Sequence, residues 1–439
     1  MNFDLMRSLL IDRALRGELF SCSNLVVAEG DKSLNEEKAN PFTIPNTWQW
    51  KRVADCVQFN PKVIQDDAVE VSFIPMADVE PGFVNQCSTR QTKLWAKVKK
   101  GFSRFQEEDL LVAKITPCFQ NRKSCVAKNL TNGIGAGSTE FHVMRCVSDV
   151  DAKFLLYFFK SEYFIRYGVN HFNGTVGQQR VGTQDIKDCL IPVPPFDEQT
   201  RIVAKLEEAF DVIDRAEKAY DELQTLAGVL RGQILQEAIQ GKLVPQLAEE
   251  GVVEQIGAAP EKVPFTIPES WKWTTLNAIG KWKAGGTPSR SIPEYYGGEI
   301  PWLKTGDLTD GLITTVEEYI TRAGVENSSA HINPAGAVLI AMYGATIGKL
   351  GVLAMPCATN QACCACAVNE ELVDKSYLFY YLLSQRTGFL QLGAGGAQPN
   401  ISKTKIVNYP IPVPPLKEQR RIVAAIEELL KQVNALSAR

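Results

Sequence analysis

Internal repetition constrains this chain of 439 residues more than any other feature. PFTIPNTWQW at 41–50 returns as PFTIPESWKW at 264–273, and IPVPPFDEQTRIVAKLEE from Ile191 returns as IPVPPLKEQRRIVAAIEE from Ile411. In both cases the copies are about half the chain apart. Self-similarity at one long spacing predicts a duplicated structural unit. We therefore expect two units of the same fold.

The repeat is permuted at its ends. LMRSLLIDRALRGEL at 5–19 resembles VLRGQILQEAIQGKL at 229–243, the end of the connector that follows the first IPVPP. The second IPVPP is followed only by the first part of that connector. We therefore expect the C-terminal and N-terminal helical segments together to play the part of a second connecting helix.

The connector has the spacing of a coiled coil. Apolar residues alternate at intervals of four and three through a predicted helix from Glu198 to Ile239, which would be roughly 60 Å long. A long helix persists in water only if such a stripe is buried. The partner is the composite helix or, alternatively, a second copy of the chain. The predicted seam comprises Ile202, Leu206, Ile213, Tyr220, Leu223, Leu230, Ile234, Ile422, Ile426, Leu429 and Val433.

These patterns predict an α+β fold: two pseudo-symmetric mixed α/β domains separated by a long antiparallel two-helix coiled coil. The predicted boundaries are 1–35 for the N-terminal part of the distal helix, 36–195 for the first domain, 196–260 for the central helix, 261–415 for the second domain and 416–439 for the C-terminal helical part. Strand-like runs are 69–74, 110–115, 338–342 and 362–368, and helix-like runs are 152–163 and 376–384.

Charge is unevenly distributed although the net charge is only −3. Cations dominate between Arg90 and Lys128, whereas anions dominate between Asp197 and Glu222. This segregation favours a surface that faces a polyanion, although a solvated face is the common alternative.

No apolar run is long enough to span a membrane, and the cysteines lack the spacing of a disulfide scaffold. We expect a cytoplasmic protein with reduced thiols.

Motifs that could carry catalysis or hold a metal fail on their spacing. GIGAG at 133–137 precedes a strand-like run, whereas a phosphate cradle needs a helix there. GATIGK at 344–349 has three residues between its glycines where a phosphate-binding loop needs four. Cys363, Cys364 and Cys366 have no second cysteine pair nearby to complete a zinc site. We predict no catalytic residue, no metal and no cofactor on this chain.

The duplicated IPVPPxxEQxRIV motif, with LIAMYGATIGKLGVL at 339–353 and ATNQACCACAV at 358–368, resembles the specificity subunit of type I restriction–modification enzymes. The resemblance covers nearly the whole chain. It implies two target recognition domains that each read half of a bipartite DNA sequence, and helices that fix the spacer. It also implies two methyltransferase subunits and restriction subunits as partners, with S-adenosylmethionine, ATP and Mg on those partners alone. Family members often place the second conserved helix wholly after the second domain, whereas part of it here precedes the first.

Candidate DNA contacts follow from residue chemistry, since Arg suits guanine and Asn or Gln suits adenine, while cations and hydroxyls suit phosphates. The matched polar loops GTVGQQR at 174–180 and GAGGAQPN at 393–400 supply most base-reading candidates. The base-reading candidates are Gln178, Gln179, Arg180, Asn360, Gln361, Gln398 and Asn400. The phosphate candidates are Lys99, Lys100, Arg104, Lys114, Arg122, Lys123, Lys304, Thr305, Thr346 and Lys349.

Two other functions stay open at this point. The chain could be the recognition half of a split or fused restriction–modification enzyme, which would require methyltransferase motifs that this sequence lacks. It could also be a coiled-coil scaffold without DNA binding. Salt-dependent binding to duplex DNA would separate the scaffold from the two DNA-reading alternatives.

Overall fold

The computed structural model describes residues 1–19, 40–86, 91–175, 177–393 and 400–437. The chain divides into two compact units, residues 1–220 and 221–439. Each unit combines helices with sheets, so the predicted α+β class is confirmed. Among the described helices, none is both long and apolar enough to cross a bilayer.

Unit 1 contains most of the first repeat. Its helices are α1 (Phe3–Leu15), α2 (Val53–Cys56), α3 (Trp95–Val98), α4 (Ala152–Lys160), α5 (Glu162–Asn170), α6 (Thr183–Asp188) and the first part of α7 (Phe196–Ile239). Its strands are β1 (Gln49–Arg52), β2 (Val57–Phe59), β3 (Glu70–Ile74), β4 (Gln91–Leu94), β5 (Ser103–Gln106), β6 (Leu110–Ala113), β7 (Ser124–Val126), β8 (Ile134–Gly137), β9 (Phe141–Cys146), β10 (Phe172–Asn173), β11 (Arg180–Val181) and β12 (Leu190–Val193).

Unit 2 contains the remainder of α7 and the second repeat. Its other helices are α8 (Arg322–Glu326), α9 (Lys375–Ser384), α10 (Arg386–Gly393), α11 (Lys403–Val407) and α12 (Leu416–Ser437). Its strands are β13 (Lys272–Thr275), β14 (Gly280–Ala284), β15 (Tyr296–Leu303), β16 (Gly311–Ile313), β17 (Glu318–Ile320), β18 (Ile332–Asn333), β19 (Val338–Ala341), β20 (Leu350–Leu353), β21 (Cys357–Thr359), β22 (Cys363–Val368) and β23 (Pro410–Val413).

The two units share one sheet plan. Unit 1 has sheets in the order β2-β9-β6-β7 and β4-β3-β8-β5, and unit 2 has sheets in the order β14-β22-β19-β20-β16 and β17-β15-β21-β18. In both, a parallel pair, β3 with β8 and β15 with β21, lies in the second sheet. The apolar faces of the first sheets pack against α4 in unit 1 and α9 in unit 2.

The two repeated motifs pair with each other inside each unit. The Trp-containing strand β1 lies antiparallel to β12 of the first IPVPP, with Trp50 opposite Pro192. Strand β13 lies in the same way against β23, with Trp273 opposite Pro412. The motifs therefore recur together because they form one two-stranded ribbon that closes each unit.

The glutamine of each PPxxEQ sequence anchors the start of a long helix. Gln199 is fully buried; its Oε1 accepts from the Asp151 amide at 2.8 Å, and its Nε2 donates to the carbonyl oxygens of Asp149 and Pro194, both at 3.0 Å. Gln419 is also fully buried and makes the same three bonds in unit 2. Its partners are the Asp374 amide at 2.8 Å and the carbonyl oxygens of Leu372 and Pro414 at 2.9 and 2.8 Å. This glutamine therefore joins the helix start to the N-cap of α4 or α9.

The long connector is confirmed as one helix, α7, which begins at Phe196 instead of Glu198. In unit 1, α1 runs antiparallel to it, with Phe3 against Tyr220 and the Arg7 guanidinium paired with Asp214 and Glu217 at 2.6 and 2.5 Å. In unit 2, α12 runs antiparallel to the rest of α7, since Gln224 Nε2 donates to the Ser437 carbonyl at 2.7 Å and Arg231 Nε, further along α7, donates to the earlier Asn434 Oδ1 at 3.0 Å.

The predicted seam is buried at its two ends and open near its centre. Leu223 and Leu230 are 36% and 42% exposed, whereas Ile213, Tyr220 and Leu429 are half-buried. The buried members are Ile202, Leu206, Ile234, Ile422, Ile426 and Val433.

The permuted repeat is visible at the helix ends. Helices α1 and α7 both end before a glycine with positive φ, Gly17 at +74° and Gly241 at +71°. A Cβ at either position would lie 2.4 Å from the ring of a proline, Pro45 or Pro268. The N-terminal helix is therefore the structural counterpart of the end of α7.

The helix predicted over 152–163 is two helices. Helix α4 ends at Lys160, and the side chain of Ser161 accepts from the Phe164 amide at 3.1 Å as the N-cap of α5. A serine whose hydroxyl accepts from the amide three residues later favours the start of a new helix over continuation of the preceding one. The four predicted strands are all present, each with its end moved by one or two residues.

Candidate nucleic-acid interface

Three chain segments meet at one end of the unit 1 sheets. The Lys114 amide donates to the Glu140 carbonyl at 3.0 Å, and the Val181 amide donates to the Lys114 carbonyl at 3.0 Å. Ile115 forms a bridge with Arg180. The loop after β6 is thus held between the β8–β9 turn and the polar segment that contains Arg180.

Unit 2 repeats this arrangement bond for bond. The Met342 amide donates to the Ala362 carbonyl at 2.8 Å, the Ile401 amide donates to the Met342 carbonyl at 2.9 Å, and Tyr343 bridges Asn400. The hydrogen-bond register therefore equates Lys114 with Met342, Glu140 with Ala362 and Arg180 with Asn400. Arg180 and Asn400, one from each of the polar loops that the sequence matched, therefore occupy equivalent positions within their own units.

Arg180 and Glu140 form a two-bond ion pair across this junction. Arg180 Nε and Nη2 donate to the Glu140 carboxylate, both at 2.9 Å, and Arg180 Nη1 donates to the Gln178 carbonyl at 3.1 Å. The hydrogen bond from Arg180 lowers the pKa of Glu140. The Arg180 side chain is nevertheless 44% exposed, so the ion pair faces solvent.

The other base-reading candidates of unit 1 lie beside Arg180. Gln178 is exposed, and Gln179 is half-buried with its amide donating to Thr116 Oγ1 at 3.1 Å. The Thr116 amide donates in return to the Gln179 carbonyl at 2.9 Å. These bonds fix the main chain of the loop, and the Gln178 side chain is exposed to solvent.

In unit 2 the candidates form two sets. Asn400 is exposed beside the Tyr343 loop, and Gln398 lies outside the described residues. Gln361 is exposed and accepts a hydrogen bond from Thr287 Oγ1, whereas Asn360 has a buried Oδ1 with no partner among the described residues. The Met342–Ala362 bond brings both sets to the same end of the sheet.

Several phosphate candidates of unit 1 already have protein partners. Lys99 pairs with Asp67 at 2.6 Å, Arg122 pairs with Glu162 at 2.5 Å, and Lys123 Nζ donates to the Met76 carbonyl at 3.1 Å. Lys100 and Arg104 are exposed at the start of β5, and Lys114 is half-buried. Because Ser103 lies opposite Gly137, the start of β5 is beside the end of β8 that leads to Glu140.

The unit 2 phosphate candidates differ in their exposure and in whether they already have a protein partner. Lys304 pairs with Glu318 at 2.6 Å, and Thr305 is half-buried. Thr346 Oγ1 donates to the Tyr343 carbonyl at 2.9 Å, and Lys349 is exposed. The GATIGK segment is therefore a short turn that directly follows Tyr343, the residue that bridges Asn400, and leaves Lys349 exposed.

Sequence reasoning missed Glu140 and Arg290. Arg290 pairs with Glu318 at 2.7 Å, and its guanidinium lies 4.2 Å from the centre of the Tyr296 ring. Its loop begins with Gly285, where a Cβ would lie 2.2 Å from the Thr359 carbonyl oxygen. The GGTP sequence was the available signal, because paired glycines often mark a close approach of two backbones.

The structure gives the three cysteines of ACCACAV a packing role. Cys363, Cys364 and Cys366 are all fully buried in β22, and burial raises the pKa of the Cys364 thiol to about 12. Within the described ranges, no group of three His, Cys, Asp or Glu side chains is placed to hold a metal ion. The last four residues of GIGAG form strand β8 itself, and strand β9 follows it, as predicted.

Comparison with known proteins identifies relatives along almost the whole chain. The family model of the type I restriction modification DNA specificity domain matches twice, at residues 45–225 and 268–439. The type I restriction enzyme EcoAI specificity subunit of Escherichia coli is 28% identical over 91% of this chain and 80% of its own length. The EcoEI specificity subunit of the same species is 26% identical over 92% of this chain and 81% of its own length.

Two solved structures share the fold. A chain from a structural study of complex assembly and conformational transition in a type I R-M system has a TM-score of 0.72 at 22% identity, over 91% of this chain and 94% of that one. The HsdS subunit from Thermoanaerobacter tengcongensis has a TM-score of 0.60 at 22% identity, over 90% of this chain and 92% of that one.

Proposed function

This chain belongs to the family of type I restriction modification DNA specificity domains, and we propose that it is the sequence-specific DNA recognition subunit of a type I restriction–modification complex. Each unit reads one half of a bipartite target. The protein acts in the cytoplasm, where its DNA target lies, and makes no covalent change to the DNA itself.

One observation carries this function: the same three-segment junction occurs in both units and holds an exposed polar side chain at the same register position. Arg180 occupies it in unit 1 and Asn400 in unit 2. Arginine and asparagine are the side chains best suited to bidentate recognition of purines in the major groove. An exposed cation in each unit, Lys100 in unit 1 and Lys349 in unit 2, supplies the phosphate contacts that position a reader without specifying sequence.

Partner subunits complete the proposed complex. Leu223, Leu226, Val229 and Leu230 are exposed on α7, an apolar stretch that a soluble monomer seldom leaves uncovered. We assign it to docking of methyltransferase subunits, two in the complete complex, with restriction subunits added for cleavage. S-adenosylmethionine, ATP and Mg belong to those partners, so this chain holds no cofactor. The long helices set the spacer between the half-sites.

A binding assay with the assembled complex tests the proposal. The chain and its methyltransferase subunits would be titrated with duplex DNA from the host genome, and bound sequences recovered and sequenced. We expect one bipartite motif and an affinity that falls steeply with salt. Lys349→Ala should lower the salt slope by about 0.9 if it removes one phosphate contact. Lys205→Ala, on α7 and paired with Glu208, is the matched control and should leave the slope unchanged.

Loss of base contacts would change the selected sequence instead of the salt slope. Replacing Gln178 and Gln179 with alanine should relax selection in one half-site and leave the other unaltered. A chain that binds all duplexes equally, or binds none with its partners present, would contradict the proposed function.

A further inference from the structure

The two units carry different side chains at one matched pair of positions. The register of main-chain hydrogen bonds equates Arg180 with Asn400, and Glu140 with Ala362. Unit 1 therefore pairs an arginine with a carboxylate, whereas unit 2 has an asparagine and an alanine at the two equivalent positions. The two positions differ together although the backbone around them is held by the same bonds.

The hydrogen bonds of Arg180 leave a defined part of its guanidinium free. A guanidinium has five N–H groups, and its two forked faces are the Nε–Nη2 side and the Nη1–Nη2 end. Glu140 occupies the Nε–Nη2 side with two bonds of 2.9 Å. Nη1 uses one N–H on the Gln178 carbonyl, which belongs to Arg180's own main-chain segment.

Two N–H groups remain, one on Nη1 and one on Nη2, the two nitrogens that make up the end of the guanidinium. That end matches two adjacent acceptors, which guanine presents in the major groove as O6 and N7. Because Glu140 binds the Nε–Nη2 side of the guanidinium, it restricts the direction in which the Nη1–Nη2 end points. Less rotamer freedom is then lost when Arg180 meets a base.

Asn400 has the opposite hydrogen-bonding character. Its amide offers one donor side and one acceptor side, which match N7 and the N6 amino group of adenine. A carboxylate at position 362 would compete for the donor side, and unit 2 has an alanine there. Asn400 is exposed, as Arg180 is.

We propose that Arg180, positioned by Glu140, reads a guanine in the half-site of unit 1, and that Asn400 reads an adenine in the half-site of unit 2. This inference rests on the proposed function and assigns one base to each half. Glu140 is a positioning residue, since it acts on the DNA only through the guanidinium.

Selection from randomised DNA tests the assignment. The full chain, assembled with its methyltransferase subunits, would be presented with duplexes randomised through both half-sites, and the bound fraction sequenced. Arg180→Ala should lower the preference for guanine at one position roughly 5- to 140-fold, as expected for loss of one bidentate base contact. The half-site of unit 2 should keep its sequence and so report that the variant is folded.

Exchanging the residue pairs provides a gain of function. Arg180→Asn combined with Glu140→Ala should turn the selected guanine into adenine, and Asn400→Arg combined with Ala362→Glu should turn the selected adenine into guanine. Glu140→Gln should weaken the guanine preference in the wild-type background and have no further effect once Arg180 is alanine. Glu140→Asp, which restores the charge, should recover part of that preference.

The outcomes separate the inference from the function on which it rests. A wild-type complex that selects no motif contradicts both. A selected motif that keeps its guanine in Arg180→Ala, or that contains no guanine in either half, overturns the inference alone. Equal effects of Glu140→Gln with and without Arg180 would show that Glu140 only holds the loops together, and that result also overturns it.

Discussion

The buried glutamine at the start of each long helix gives a prediction that can be checked separately in each unit. Gln199→Ala removes three hydrogen bonds and leaves the Asp151 amide and the carbonyl oxygens of Asp149 and Pro194 without that partner. A buried group left unsatisfied costs about 1–3 kcal/mol, and the amide, with a single N–H, bears the largest penalty. We expect a local destabilisation of about 3 kcal/mol.

Hydrogen exchange measured by mass spectrometry is the appropriate assay, because it reports local opening in the intact chain. A loss of 3 kcal/mol corresponds to about 100-fold faster exchange for amides at the start of α4. Gln419→Ala should produce the same change at the start of α9 and leave α4 unaffected. The control is Thr200→Ala, an exposed neighbour whose hydroxyl donates only within its own helix.

A small effect would refute this reasoning. If Gln199→Ala accelerated exchange less than threefold, or no more than Thr200→Ala, the three bonds would contribute nothing beyond what water supplies. The glutamine would then need another explanation for its presence in both copies of the motif.

Two further changes test burial and backbone geometry. Lys160 is fully buried, its ammonium donates to the carbonyl oxygens of Gly82, Val84 and Arg122, and burial lowers its pKa to about 7. The unfolded lysine keeps its proton up to about pH 10.5, whereas the folded one loses it near pH 7. The free energy of unfolding of unit 1 should therefore rise with pH above 7. Lys160→Met should remove that rise, measured by urea titrations at pH 7, 8 and 9. An equal slope in both proteins would contradict the assignment. Gly241→Ala should destabilise unit 2 by about 2 kcal/mol or more, since it places a Cβ 2.4 Å from Pro268 at a positive φ. Gly228→Ala, in open space on α7, should stabilise it by about 0.5–1 kcal/mol, and thermal unfolding that fails to separate the two variants would count against this geometry.

The repeat made much of the fold predictable. Periodicity located α7 to within its first turn, and the matched motifs identified two units of one plan. The break at Ser161 was missed because the apolar pattern continues through it, and only the hydroxyl's bond to the Phe164 amide reveals a new start.

The candidate site was predictable only where the polar residues are adjacent in the chain. Arg180 and its glutamine neighbours stand out as a polar loop, whereas Glu140 is 40 residues away and reaches Arg180 through the β8–β9 turn. The sequence also could not indicate which cations are already paired. In the sequence, Lys99 and Arg122 have no obvious ion-pair partner nearby. Asp67 and Glu162 become their neighbours only through the fold.

The ribbon formed by β1 and β12 has a genetic consequence. Because these two strands are neighbours, the polypeptide leaves the reading part of unit 1 beside the point at which it arrived, and β13 with β23 does the same in unit 2. Recombination within the DNA that encodes these two matching ribbons would exchange everything between them as a cassette. The swapped cassette would arrive with the same closing ribbon, so a new target half could be acquired in one event.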